Sequence, residues 1–137
     1  MSLITVIDFP SLGDHRGGLI VLEADDHNSV PFEIKRVYYI FDVTHGESRG
    51  FHAHKNLTQV AICVAGSCKF KLDDGKAVEY ITLDSPSKGL LISSMTWREM
   101  HDFSDDCVLL VLASEHYDES DYIRNYDEFI TAARETK

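Results

Sequence analysis

Short blocks of alternating apolar and polar residues recur along most of the chain. The segments GLIVLE (18–23), IKRVYYIFDV (34–43) and TQVAICVAG (58–66) are rich in β-branched and aromatic residues, as strands are. CKFKLDDGKAVEYITL (68–83) reads as a hairpin, with Asp74 and Gly75 supplying the positive-φ turn between two alternating arms. GLLISS (89–94) and CVLLVLAS (107–114) follow, separated by a polar stretch that holds Trp97, Arg98, Glu99 and His101. An N-terminal strand, SLITVIDFP (2–10), carries apolar residues on both faces. Closely spaced short strands with turn residues between them predict an all-β fold, a small jelly-roll β-barrel. Only the C-terminus shows a helical period. After YDES, Tyr122, Ile123, Tyr126, Phe129, Ile130 and Ala133 fall at steps of three and four, which predicts one terminal α-helix.

The 137 residues form one expected domain, 1–137, with no linker or repeat, and the chain is long enough for a hydrophobic core. A net charge of −10 argues against a nucleic-acid backbone or an anionic membrane as partner. No apolar run is long enough to cross a bilayer and the N-terminus lacks a signal-type pattern, so the expected location is cytoplasmic. Cys63, Cys68 and Cys107 have no zinc-type spacing and are expected as reduced, buried thiols. A negative surface can still hold a locally positive pocket. Arg16, Arg36, Arg49 and Arg98 are the candidates to bind a phosphorylated small molecule.

The candidate chemistry centres on RGFHAHK (49–55). On a strand His52 and His54 share one face, whereas Arg49, if the strand is already regular there, faces the other way. Tyr38 shares the more polar face of its strand with Arg36, while Val37, Tyr39 and Phe41 read as a packing face. The histidines could hold a metal, move protons, or fill a polar interior. Gly46, His52, His54, Gln59 and Gly66 follow the spacing of the first cupin motif, with one departure: metal-binding cupins usually carry a glutamate where Gln59 stands. Near the place of the last cupin ligand lies Arg98, with His101 three residues on. A glutamine and an arginine are poor partners for a divalent ion, so a metal is not expected, although a weak site using His101 remains open.

Taken with GDHRGGL, RVYYIFDV, the WREMHDF stretch and YDESDYIRNYDEF, this segment resembles the cupin-type sugar 3,4-ketoisomerases that act on dTDP-4-keto-6-deoxyglucose. The resemblance covers nearly the whole chain. It implies a metal-independent isomerase without a cofactor, whose product is later transaminated on the way to an amino-deoxy sugar of a bacterial surface glycan. It also implies a homodimer formed by exchange of N-terminal strands. Moving a ketone from C4 to C3 is a pair of proton transfers through an enediol, which asks for a base, a second proton carrier and donors for the enediolate. His52, His54 and Tyr38 are the expected catalytic groups, and Arg16, Arg36, Arg49, Arg98, Gln59 and His101 the expected substrate contacts. Arg16 and Arg98 are the side chains to examine for the configuration at C4. Three other readings are a nucleotide-sugar 3,5-epimerase, a non-catalytic sugar-binding cupin and a metal-dependent cupin oxygenase.

Overall fold

A computed structural model describes residues 3–24 and 29–135. Two five-stranded antiparallel sheets face each other across the main core. The strands are β1 (Thr5–Asp8), β2 (Arg36–Phe41), β3 (Arg49–His54), β4 (Gln59–Ala65), β5 (Cys68–Asp73), β6 (Val78–Leu83), β7 (Lys88–Ile92), β8 (Trp97–His101), β9 (Val108–Ala113) and β10 (Tyr122–Ile123), followed by α1 (Tyr126–Glu135). The first sheet has the order β1-β7-β4-β9-β2 and the second β10-β3-β8-β5-β6. No pairing among the described residues joins the edges of one sheet to the other. The expected barrel is therefore an open two-layer sandwich. Ser2, part of the predicted N-terminal strand, lies outside the described residues.

Alternation builds the core. Ala61 and Cys63 of β4, Phe70 and Leu72 of β5, Met100 of β8 and Leu109 and Val111 of β9 point between the sheets. Val60, Ile62 and Leu112 point out of the first sheet instead, where Phe9, Val30 and the irregular segment around Ile20, Leu22 and Phe32 cover them. That segment is a correction. GLIVLE forms no strand and contributes only packing, between two isolated bridges, Asp14 with Gly17 and Ala24 with Val30. The hairpin expected at 68–83 is present, with Asp73 opposite Val78 and Gly75 at φ 92°.

Two further differences shape the site. The stretch 97–101, read as a polar separator, is strand β8 at the heart of the second sheet, with Arg98 and Met100 buried. The C-terminal helix begins later than its periodicity suggests. Asn125 caps it, its Oδ1 accepting from the Glu128 amide at 3.0 Å. Tyr122 and Ile123 instead form β10 and pair with His54 and Ala53. Phe129 and Ala133 of α1 then pack on Trp97, Ala53 and Ile123. Val37, Tyr39 and Phe41, read as packing residues, are exposed along the outer face of edge strand β2.

Candidate active site

A cleft of about 330 Å³ opens where β2, β3 and β10 converge, walled by Arg36, Tyr38, Arg49, His52, Tyr122 and Arg124. A larger depression of about 580 Å³ lies on the outer face of the first sheet, but its lining of Ile20, Leu22, Ile62, Val64 and Leu110, with only serines for polarity, offers no acid–base group. The chemistry lies in the smaller cleft.

Arg49 belongs to that cleft because β3 is not regular. Gly50 and Phe51 adopt φ 92° and 61°, and the register against β8 shifts between Gly50 and His52. Such a bulge re-aims side chains. It brings Arg49 onto the wall beside His52 and leaves Phe51 outside, its ring edge-on to His101.

The two histidine rings meet edge to face, 4.9 Å between centroids, and Tyr122 touches both at 5.1 and 4.3 Å. His54 is fully buried. Its Nδ1 lies 3.1 Å from Oδ2 of Asp121, whose Oδ1 accepts from the Asn56 amide at 2.8 Å. A carboxylate there favours the proton on Nδ1 and leaves Nε2 as the free lone pair. That Nε2 and Nδ1 of His52 are buried and find no hydrogen-bond partner among the described residues. Burial lowers the pKa of His52 to about 4 and that of His54 to about 2, with the positive charge of Arg98 acting in the same direction. Both imidazoles are therefore neutral at pH 7.

Arg98 forms the floor. It is 1% exposed, and its guanidinium donates to Oε1 of Gln59 and twice to the Thr96 carbonyl, at 3.3 and 3.0 Å. All three acceptor contacts are neutral. Burial lowers its pKa to about 10, which leaves it charged at pH 7. Gln59 passes the contact on, its Nε2 donating to the Tyr38 hydroxyl at 3.0 Å. The phenol thus accepts from below and keeps its own hydrogen to donate. Burial also raises the Tyr38 pKa, so that hydrogen is retained at neutral pH. A glutamate at 59 would neutralise Arg98; the glutamine orients it and leaves its charge in place.

The other arginines differ. Arg36 lies against the rings of Tyr38 and Tyr117 at 5.5 and 5.7 Å, and its Nε and Nη2 are buried without a hydrogen-bond partner among the described residues. Arg124 stacks 4.2 Å over Tyr122 and donates to both carboxylate oxygens of Glu119 at 2.9 Å. Two expected contacts are not brought to the cleft. Arg16 is 80% exposed in a turn, ion-paired with Asp14. His101 lies on the opposite face of β8 from Arg98, bonded to Ser48 and Glu99. It is not placed to complete a metal site with His52 and His54. Sequence reasoning missed Asp121, Tyr122 and Arg124: Tyr122 counts toward the helical stripe, and Asp121 and Arg124 beside it read as the polar side of the same helix. The cluster of acidic and capping residues before the helix was the one available signal for Asp121.

The model of the family described as FdtA: WxcM-like, C-terminal matches residues 2–134. The chain belongs to the FdtA family. A relative within reach of this FdtA-family chain is the TDP-4-oxo-6-deoxy-alpha-D-glucose-3,4-oxoisomerase of Aneurinibacillus thermoaerophilus, 56% identical over 90% of this chain and 88% of its own. A solved structure of a mutant of the 3,4-ketoisomerase QdtA from Thermoanaerobacterium thermosaccharolyticum, in complex with TDP-4-keto-6-deoxyglucose, is 46% identical and superposes with a TM-score of 0.91 over 98% of this chain and 96% of that one. ChmJ, a 3'-monoepimerase from Streptomyces bikiniensis, is 18% identical with a TM-score of 0.73, over 88% of this chain and 68% of its own. It shares the fold alone. The epimerase reading therefore has less support than the ketoisomerase reading. No helix among the described residues is long and apolar enough to cross a membrane.

Proposed function

We propose that this FdtA-family chain is an isomerase that moves the keto group of dTDP-4-keto-6-deoxy-D-glucose from C4 to C3, using His52 and His54 for the proton transfers. The observation that carries the reading is the pair of neutral, buried imidazoles, each with an unpartnered ring nitrogen, set edge to face above a buried cation. His52, whose ring stands on the cleft wall, takes the C3 hydrogen, which the neighbouring C4 carbonyl acidifies; His54, buried against it with Asp121 at its Nδ1, shares the positive charge that results. The oxyanion of the enediolate develops over the Tyr38 hydroxyl and the positive floor, where fixed donors in a dry site act most strongly. The proton taken up exchanges with solvent on the histidine pair and is handed back at C4, which returns both imidazoles to the neutral form; the oxygens exchange their hydrogens, and the ketone stands at C3.

The diphosphate is the natural partner of Arg36, Arg49 and Arg124. Arg36 is the one whose buried nitrogens gain most from it, since a planar guanidinium binds phosphate in a bidentate way. Its binding also tunes the base. Arg124 contributes to lowering the pKa of both histidines and Arg36 that of His54, and an anion that neutralises them raises both toward a useful value.

We read the assembly as a homodimer. The exposed row Val37, Tyr39 and Phe41, with Val6, is the surface that a second copy would cover. Exchange of N-terminal strands would replace the intrachain pairing of β1 with β7 by the same pairing from a neighbour, and would carry Arg16 onto that neighbour.

The deciding experiment is proton NMR of the chelator-treated protein with dTDP-4-keto-6-deoxyglucose in D₂O. The expected result is a 3-keto sugar with solvent deuterium at C4. Exchange at C5 without a 3-keto product, or no conversion at all, would overturn the reading.

A further inference from the structure

The largest cluster of nucleophilic side chains outside the cleft is at the other end of the core. Cys63 lies on β4, Cys68 opens β5 and Cys107 precedes β9, and all three are buried. Sγ of Cys63 is 3.5 Å from that of Cys68 and 3.8 Å from that of Cys107, and all three sulfurs lie within 4.8 Å of one another. Cys63 is four residues along β4 from Gln59, a separation of about 13 Å, so the cluster is distinct from the cleft. The turn above it is closed by Ser67 and Ser104, which exchange two hydrogen bonds of 2.9 Å. Gly66 (φ 66°) lets that turn pass: a Cβ there would stand 2.3 Å from Oγ of Ser104.

Apolar burial accounts for each cysteine alone, since a thiol packs as a small hydrophobe. It does not account for three sulfurs, from three segments, converging on one point. A pyramidal three-coordinate centre with bonds of about 2.3 Å and angles of about 90–100° sets its sulfurs about 3.3–3.5 Å apart, a spacing the Cys63–Cys68 pair already has and toward which Cys107 has only a short way to close.

We propose that Cys63, Cys68 and Cys107 form a closed three-sulfur site for a thiophilic trivalent ion, of which arsenic(III) is the accessible example. Two observations select that ion. The cluster contains no fourth histidine, cysteine, aspartate or glutamate donor among the described residues, whereas zinc sites take four ligands. Zinc(II) with three thiolates would also bury a net negative charge, near Asp84 and Asp106, both of which oppose thiolate formation here. A trivalent centre with three thiolates is neutral. The chemistry balances without an oxidant: arsenous acid condenses with three thiols, three sulfur–hydrogen bonds give way to three arsenic–sulfur bonds, and three water molecules leave.

The test is native mass spectrometry of the full chain, reduced with a phosphine and titrated with sodium arsenite, beside zinc chloride as a competitor. The expected result is one adduct per folded chain, with the mass of one arsenic less three hydrogens, not displaced by zinc. Cys107→Ser should weaken arsenite binding by roughly 100-fold or more, since the third sulfur acts intramolecularly. Should that variant fail to fold, the adduct mass of the unaltered chain decides alone. An adduct that keeps a hydroxyl on arsenic, equal binding by Cys107→Ser, displacement by zinc, or no adduct would overturn the proposal.

Discussion

The second sheet carries histidines on both faces, and the fold treats them oppositely. On the outer face, His101 is bonded at both ring nitrogens, to Ser48 Oγ at 2.7 Å and to Glu99 at 2.9 Å, and Glu99 also accepts from the Trp97 indole at 2.9 Å. Water could have served this half-exposed group, yet it is fully partnered. On the inner face, where an unsatisfied polar atom costs about 1–3 kcal/mol, His52 and His54 each leave a nitrogen without a partner and Arg98 has only neutral acceptors, and Arg36, on β2 of the first sheet, leaves two more. Buried polar groups are normally satisfied. Three of these atoms, on His52 and Arg36, belong to the walls of the cleft and the fourth, on His54, lies behind them, which marks where a ligand completes the structure, while the well-bonded outer network stiffens the second sheet.

This contrast can be broken. The largest effect is expected from His54→Gln, which should lower kcat by about 10²–10⁴ with the fold intact, measured by the NMR conversion assay. Gln59→Glu comes next: it hands Arg98 a carboxylate, cancels the positive floor, and should cost roughly 10²-fold in kcat. The histidine titrations of that variant should move up, by NMR, because Arg98 depresses both.

The acid stability of the protein sharpens the comparison further. Above about pH 6.5 the histidines are neutral in both the folded and unfolded chain and contribute nothing. Below it the unfolded chain takes up protons that buried His52 and His54 refuse until pH falls to about 4 and about 2. Stability therefore falls with pH across that window. The urea midpoint should drop between about pH 7.5 and about pH 5, and less so in a His52→Gln, His54→Gln double variant. The smallest effect belongs to the outer face. His101→Asn should change kcat less than about threefold and stability by about 1 kcal/mol, as expected for loss of ordinary hydrogen bonds.

Much of this was legible in the sequence. Strands β2 through β7 announce themselves by alternation, and the same alternation puts Arg36 and Tyr38 on one face and His52 and His54 on another. What escaped the pattern did so for local reasons. Strand β8 interposes a buried arginine where an apolar residue would be expected, so its period reads as polar. Arg49 reaches the cleft through positive φ at Gly50 and Phe51, which strict alternation cannot represent. Tyr122 and Ile123 stand at helical steps from Tyr126 and Ile130 yet pair as a strand, with Asp121 ending the short 3-10 turn before them, because Asn125 caps the helix after them. His101 was misplaced for a simpler reason: three residues from Arg98, it falls on the other face of the same strand.

The two-residue pairing of β10 with β3 makes the tail of the chain part of the catalyst. Asp121, Tyr122 and Arg124 come from the last stretch to be synthesised, and Tyr126 fastens it to the main body through Asp73. A ribosome that has delivered β1 through β9 has still delivered no histidine pair with a carboxylate behind it. Clipping the protein anywhere after Ala113 and before Asp121 would leave the main inter-sheet core in place and an inert sandwich in the test tube, so this C-terminus is a poor place to cut.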